Sequence, residues 1–127
     1  MNNFESNLEY LVHEEEGIVI CKIWDCRDLA VKRIRKYTSL GSAEAYKYAI
    51  NNIFVGVSKC SSDDDFNLEY GKRLALDRAK AKRGKAVNSA IKRYITDMRK
   101  RINKLELEGI RKIPDIERLL LVYEEYD

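Results

Sequence analysis

A chain of 127 residues, 45% hydrophobic and 35% charged, is the size of one domain with a modest core. A net charge of +3 is low for a dedicated duplex-binding protein, and no apolar run approaches the ~18 residues of a membrane-spanning helix. The opening MNNFESNLEYLVHEEEG lacks the basic and apolar regions of a signal peptide, and the cysteine count of 3 is odd. A cytoplasmic protein with reduced thiols is therefore expected.

Leu8 to His13 reads as a weak strand and Gly17 to Trp24 as a strong β-branched one, with a hairpin turn over Glu14 to Gly17. After the polar break Asp25-Cys26-Arg27-Asp28, the apolar positions Leu29, Ala30, Val31, Ile34 and Tyr37 suggest a short helix capped by Asp28. Thr38 to Ala43 reads as loop, and Ala45 to Asn52 fits no single pattern. Ile53 to Lys59 is a further strand, in which Gly56 marks either a bulge or a close backbone approach.

The polar turn Cys60 to Asp65 contains Asp63, Asp64 and Asp65, which suit the positive end of a following helix. That helix is expected to start near Asn67 and to pack through Tyr70, Leu74, Ala75 and Ala79. Gly84 then predicts a kink or a hairpin turn. Beyond it, Ile91, Ile95, Met98, Ile102 and Leu105 recur at heptad-like spacing, with Tyr94 beside the seam. Gly109 to Pro114 is a conventional stop. The apolar tail Ile113 to Tyr126 is expected to dock onto the core or onto a neighbouring subunit.

These elements predict an α+β fold: a small antiparallel sheet from the N-terminal half, then two long helices. A single domain divides into a sheet-rich part (1–60), a helical part (66–110) and a docking tail (113–127). The seam is more apolar than a lone surface helix needs, so a homo-oligomer is expected, a dimer or a hexamer.

Charge is unevenly spread. Residues 1–16 hold Glu5, Glu9, Glu14, Glu15 and Glu16 and no Lys or Arg, whereas Gly71 to Lys104 holds thirteen Lys and Arg against Asp77 and Asp97. Such a layout suits self-association or an anionic ligand. No Walker loop, dinucleotide fingerprint or zinc-protease motif occurs. The lone His13 sits among glutamates, poorly placed to activate a serine or cysteine. Cys21, Cys26, Cys60 and His13 have only marginal zinc spacing, and a capping turn explains the aspartates better than a metal does. Neither catalytic residues nor a metal or other cofactor is expected.

Gly56-Val57-x-Lys59-Cys60-x-x-x-Asp64-x-Phe66 is followed by Gly71-Lys72-x-Leu74-Ala75-x-x-Arg78-Ala79. With the run from Asp28 to Tyr37 and the basic helix after Gly84, these residues resemble the first-described type of phage Thoeris anti-defence proteins. Members of that family are sponges that sequester glycocyclic ADP-ribose signals without cleaving them, and some also hold cyclic oligonucleotides. The resemblance covers most of residues 17–112. It implies a non-enzymatic, homo-oligomeric protein of the infected bacterial host's cytoplasm, with no membrane partner. It also implies that Arg27 and Arg111 grip phosphates and that Phe66 or a tyrosine stacks on adenine, with Asn88 or Arg93 as a further contact. Phe66 equally suits packing at the helix entry, and the arginines suit a solvated surface. The competing reading is a nucleic-acid-binding accessory protein that uses the basic Lys85 to Lys104 face.

Overall fold

The computed structural model describes residues 7–61 and 65–108. Arg111, Asp63, Asp64, the stop at 109–114 and the tail lie outside the described residues. The architecture is α+β, as the sequence predicts. Strands β1 (Leu8–His13), β2 (Ile18–Ile23) and β3 (Phe54–Lys59) form an antiparallel sheet in the order β1-β2-β3. The β1–β2 hairpin closes through a 3-10 turn over Glu14–Glu16. Gly17 ends that turn at φ +69, where its N–H donates to the Glu14 carbonyl at 3.1 Å. A left-handed residue at this point is why glycine is needed.

Between β2 and β3 the chain forms α1 (Leu29–Tyr37), the short α2 (Ser42–Ala45) and a 3-10 turn over Tyr46–Tyr48. Asp25, which leads out of β2, has φ 62, a left-handed conformation that aspartate tolerates better than most residues. Asp28 does occupy the N-cap position of α1, but its carboxylate makes no capping bond, and its buried Oδ1 has no hydrogen-bond partner. The functioning side-chain cap belongs to the next long helix. There Asn67 Oδ1 accepts from the Tyr70 N–H at 3.0 Å, the role expected of the aspartate turn.

The helical half departs from the expected pair. A single helix, α3, runs from Leu68 to Leu107, 40 residues without a break, and Gly84 lies exposed in its interior. Its length is about 60 Å at 1.5 Å per residue. What changes at Gly84 is the face in use. Gly71, Ala75 and Ala79 are buried against the sheet, while Val87, Ala90, Ile91 and Tyr94 are buried against α1 and the Tyr46–Tyr48 turn. A four-residue spacing gains roughly 40° per step on a 3.6-residue helix, so the buried row winds from one neighbour to the other. In sequence that rotation imitates a chain reversal. Tyr70, expected to pack, is 60% exposed because the inward position belongs to Gly71. Ile91, Ile95 and Met98 of the seam pack within the chain, on the cluster that includes Ala30, Ile34 and Tyr48.

Two hydrophobic clusters result. The first joins Val19, Cys21, Ile23 and Cys26 to Ala75 and Ala79; the second joins α1 to the middle of α3. Leu29 and Ile50 pack against both. No helix among the described residues is long and apolar enough to cross a membrane.

Gly56 is a point of close approach, and the β2–β3 register runs through it without a bulge. A Cβ there would fall inside the van der Waals shells of the Ala75 carbonyl oxygen and the Ala79 amide nitrogen. Nothing lies within 4 Å of a Cβ placed on Gly84. Gly56→Ala is therefore expected to lower unfolding free energy by about 3 kcal/mol or more. Gly84→Ala is expected to raise it by about 1 kcal/mol, because alanine is the better helix former. Urea titration of both variants checks the pair.

Candidate functional site: a tyrosine and arginine cleft

The structure does not gather the sequence-predicted ligand residues into one place. Arg27 is exposed in the turn after the Ile23 end of β2, where its backbone carbonyl accepts from the Ile50 N–H at 3.2 Å. Phe66 is half-buried at the other end of that strand, packed on the first cluster and lining a cleft of about 420 Å³ with Gly17 and Cys60. The ends of β2 are about 17 Å apart at 3.3 Å per residue. Asn88 and Arg93 are both exposed on α3, but five residues of helix separate them by roughly 140° around the axis. Arg93 places its guanidinium 5.9 Å from the centre of the Tyr48 ring, a cation–π contact within the chain.

A different set of side chains does converge. The loop after α1, the α2 turn and the C-terminal half of α3 enclose a cleft of about 460 Å³. Tyr37 closes α1 and is 39% exposed; Lys36 holds its ammonium 5.6 Å from the Tyr37 ring centre. Thr38 shapes the loop wall by donating to the Ile34 carbonyl at 3.0 Å and accepting from the Leu40 N–H at 3.3 Å. From α3 come Tyr94, Met98 and Arg101, which fall on one face because four and three residues separate them. Arg101 lies 4.0 Å from the Glu44 carboxylate, and both side chains are more than half exposed. A surface pair of this kind contributes little stability and leaves the guanidinium donors available.

Two further tyrosine contacts make the floor of the cleft rigid. Tyr48 meets Tyr94 edge to face, with ring centres 5.4 Å apart, and donates from its hydroxyl to Asp97 Oδ2 at 2.6 Å. Burial pushes the Tyr94 hydroxyl above its ordinary range, opposed by a hydrogen bond with Thr38 and by the charge of Arg101. Tyr48 is pushed up to about 12, first by burial and then by the bond to Asp97 and that carboxylate's charge. Chemically the cleft offers the part-exposed Tyr37 ring with the Lys36 ammonium beside it and the exposed Arg101 guanidinium. These are the parts that hold a planar base next to a phosphate.

No family model, no curated protein and no solved structure matches this chain. Of the cleft residues, Tyr94 is buried, as its place beside the seam predicts, while Tyr37 ends the Asp28 to Tyr37 run and Arg101 lies on the basic helix after Gly84, neither of them singled out in the sequence as a ligand contact. The signal that finds Arg101 is its spacing from Tyr94 and Met98, which sets a charge on the rim of the apolar stripe.

Tyr48 keeps its proton in the fold at pH values where an unfolded chain, with an ordinary tyrosine pKa near 10, has lost it. Its contribution to stability is complete below pH ~10 and fades as the pH rises towards about 12. Tyr48→Phe is expected to remove the last tyrosinate step from an ultraviolet pH titration. It is also expected to flatten the loss of stability across that window in alkaline unfolding curves.

Proposed function

We propose that this protein binds and sequesters a small cyclic nucleotide of the cyclic ADP-ribose type, without turning it over, and that it does so as a phage anti-defence sponge. The observation that carries the reading is the convergence of the Tyr37 ring, Arg101 and Tyr94 on one cleft of about 460 Å³. That volume lies within the ~300–1,000 Å³ typical of small-ligand sites. Adenine stacks on the Tyr37 face, and the pyrophosphate takes charge-assisted hydrogen bonds from Arg101 with Lys36 nearby. The ligand displaces Glu44 from Arg101, exchanging a weak surface pair for a phosphate contact. The resemblance carried by Gly56 to Ala79 supports the choice of ligand class. Sequestration works by mass action, so affinity and abundance decide its effect.

A cleft of about 460 Å³ has the size of a small-ligand site, which favours a small ligand over nucleic acid. The basic outer side of α1, with Lys32, Arg33, Arg35 and Lys36 all exposed, is the surface that a nucleic-acid reading would use together with Lys85 to Lys104.

Native mass spectrometry and calorimetry with cyclic ADP-ribose isomers and cyclic dinucleotides separate the readings. The expected result is a bound small ligand that survives raised salt and is recovered intact after heat denaturation. Arg101→Ala is expected to weaken binding about tenfold or more, and Tyr37→Ala by a similar factor. Lys85→Ala is expected to leave it unchanged. Recovery of a linear product points instead to an enzyme. Affinity that climbs with oligonucleotide length and falls steeply with salt points to nucleic-acid binding.

A further inference from the structure

Alternation along the strands gives the sheet two faces. Val19, Cys21 and Ile23 of β2 are buried on the α3 side, so Ile18, Ile20 and Lys22 point the other way. The register places Leu11 and Val57 on either side of Ile20, a three-residue aliphatic row across the middle of this outer face. Glu9, Lys22 and Val55 form the row on one side, and His13, Ile18 and Lys59 the row on the other. Val57, on the edge strand β3, is 41% exposed, and α3 packs on the opposite face of the sheet. Five aliphatic side chains on one side of an antiparallel sheet depart from the polar pattern of a solvated face.

We propose that a second copy of this chain stacks on this outer face, with the two-fold axis running across the strands. The charge layout selects both the occupant and the axis. A two-fold across the strands lays the central row on its own counterpart, Leu11 on Leu11, Ile20 on Ile20 and Val57 on Val57. The same operation lays Glu9 of each copy over His13 of the other, a carboxylate acceptor over an imidazole donor. Lys22 then covers Ile18 and Lys59 covers Val55, aliphatic stem on aliphatic side chain, with the ammonium groups reaching outward. A two-fold along the strands instead sets Lys22 on Lys22 and His13 on Lys59. Only the first arrangement satisfies every row.

The footprint marks the contact as a weak one. Three strands at about 4.8 Å and six residues at about 3.3 Å give roughly 285 Å² per copy, or about 570 Å² in all. Stable dimers bury about 1,200 Å² or more, so this contact is reversible and dissociates in the micromolar-to-millimolar range. It differs from the helical seam expected from the sequence, whose Ile91, Ile95 and Met98 pack inside the chain.

Sedimentation equilibrium of the full chain between ~10 µM and ~1 mM tests the proposal, independently of any ligand. The weight-average mass is expected to rise from one chain towards two. Val57→Lys, at an exposed position, is expected to weaken the dimer about tenfold with circular dichroism unchanged. Glu9→Lys is expected to weaken it a few-fold, and adding His13→Glu to that variant to restore it, because the two sites meet only across the two-fold. This charge-swap pair decides the matter should Val57→Lys disturb folding. A monomer throughout the range, or a dimer indifferent to Val57→Lys and to the charge swap, overturns the proposal.

Discussion

The contact between the backbone of α3 and strand β3 at Gly56 sets the position of everything else. A helix normally rides on a sheet at a distance set by side chains. Here Gly56 on the strand meets Ala75 and Ala79 on the helix, while Gly71 lies against Val19 and Ser58, and the backbones come together. Two polar contacts hold the approach. Ser58, buried on β3, donates from Oγ to the Gly71 carbonyl at 2.9 Å, and Arg78 donates to the Val57 carbonyl at 2.6 Å. The close approach fixes the helix in depth, and the two hydrogen bonds fix its rotation. A buried hydroxyl that lost its partner costs about 1–3 kcal/mol, so rotation is resisted as firmly as translation.

Fixing the rotation at one end of a continuous helix fixes it along the whole length. With Ala75 and Ala79 on the sheet, Val87, Ile91 and Tyr94 are turned towards α1, and Met98 and Arg101 towards the loop that follows it. Tyr48 then seals the second cluster, edge on to Tyr94 and hydrogen-bonded to Asp97. The cleft is therefore a remote consequence of a glycine on a strand. A slip of one helical residue, about 100°, would carry Arg101 out of the cleft.

Much of this was legible in the sequence. β-branched runs marked β2 and β3, Leu8 to His13 read only as a weak strand, and the spacing of Leu29 to Tyr37 marked α1. The close approach at Gly56 was one of two readings of an isolated strand glycine. Continuity through Gly84 was not legible, because a buried row that changes partner looks the same as one that ends. Tyr70 was misplaced by one position for a related reason: a glycine in the inward position gives no hydrophobic signal. The cleft was harder still. Arg101 is one cation among many on α3, and its meaning depends on Tyr37, far away in the chain and brought near only by the packing of α1. Arg27, Phe66, Asn88 and Arg93 satisfied the chemistry of a nucleotide site by type, but the fold distributes them over different surfaces.

The central claim is that a cyclic nucleotide sits between the loop after α1 and the C-terminal half of α3. Amide chemical-shift mapping tests it most directly. The ¹⁵N-labelled protein is titrated with the cyclic ADP-ribose isomer that binds best. The account predicts that perturbed amides cluster at residues 36–44 and 94–101, with the Gly17, Cys60 and Phe66 surroundings unchanged. Shifts confined to the Phe66 cleft, or spread along the basic side of α1 and α3, would contradict it.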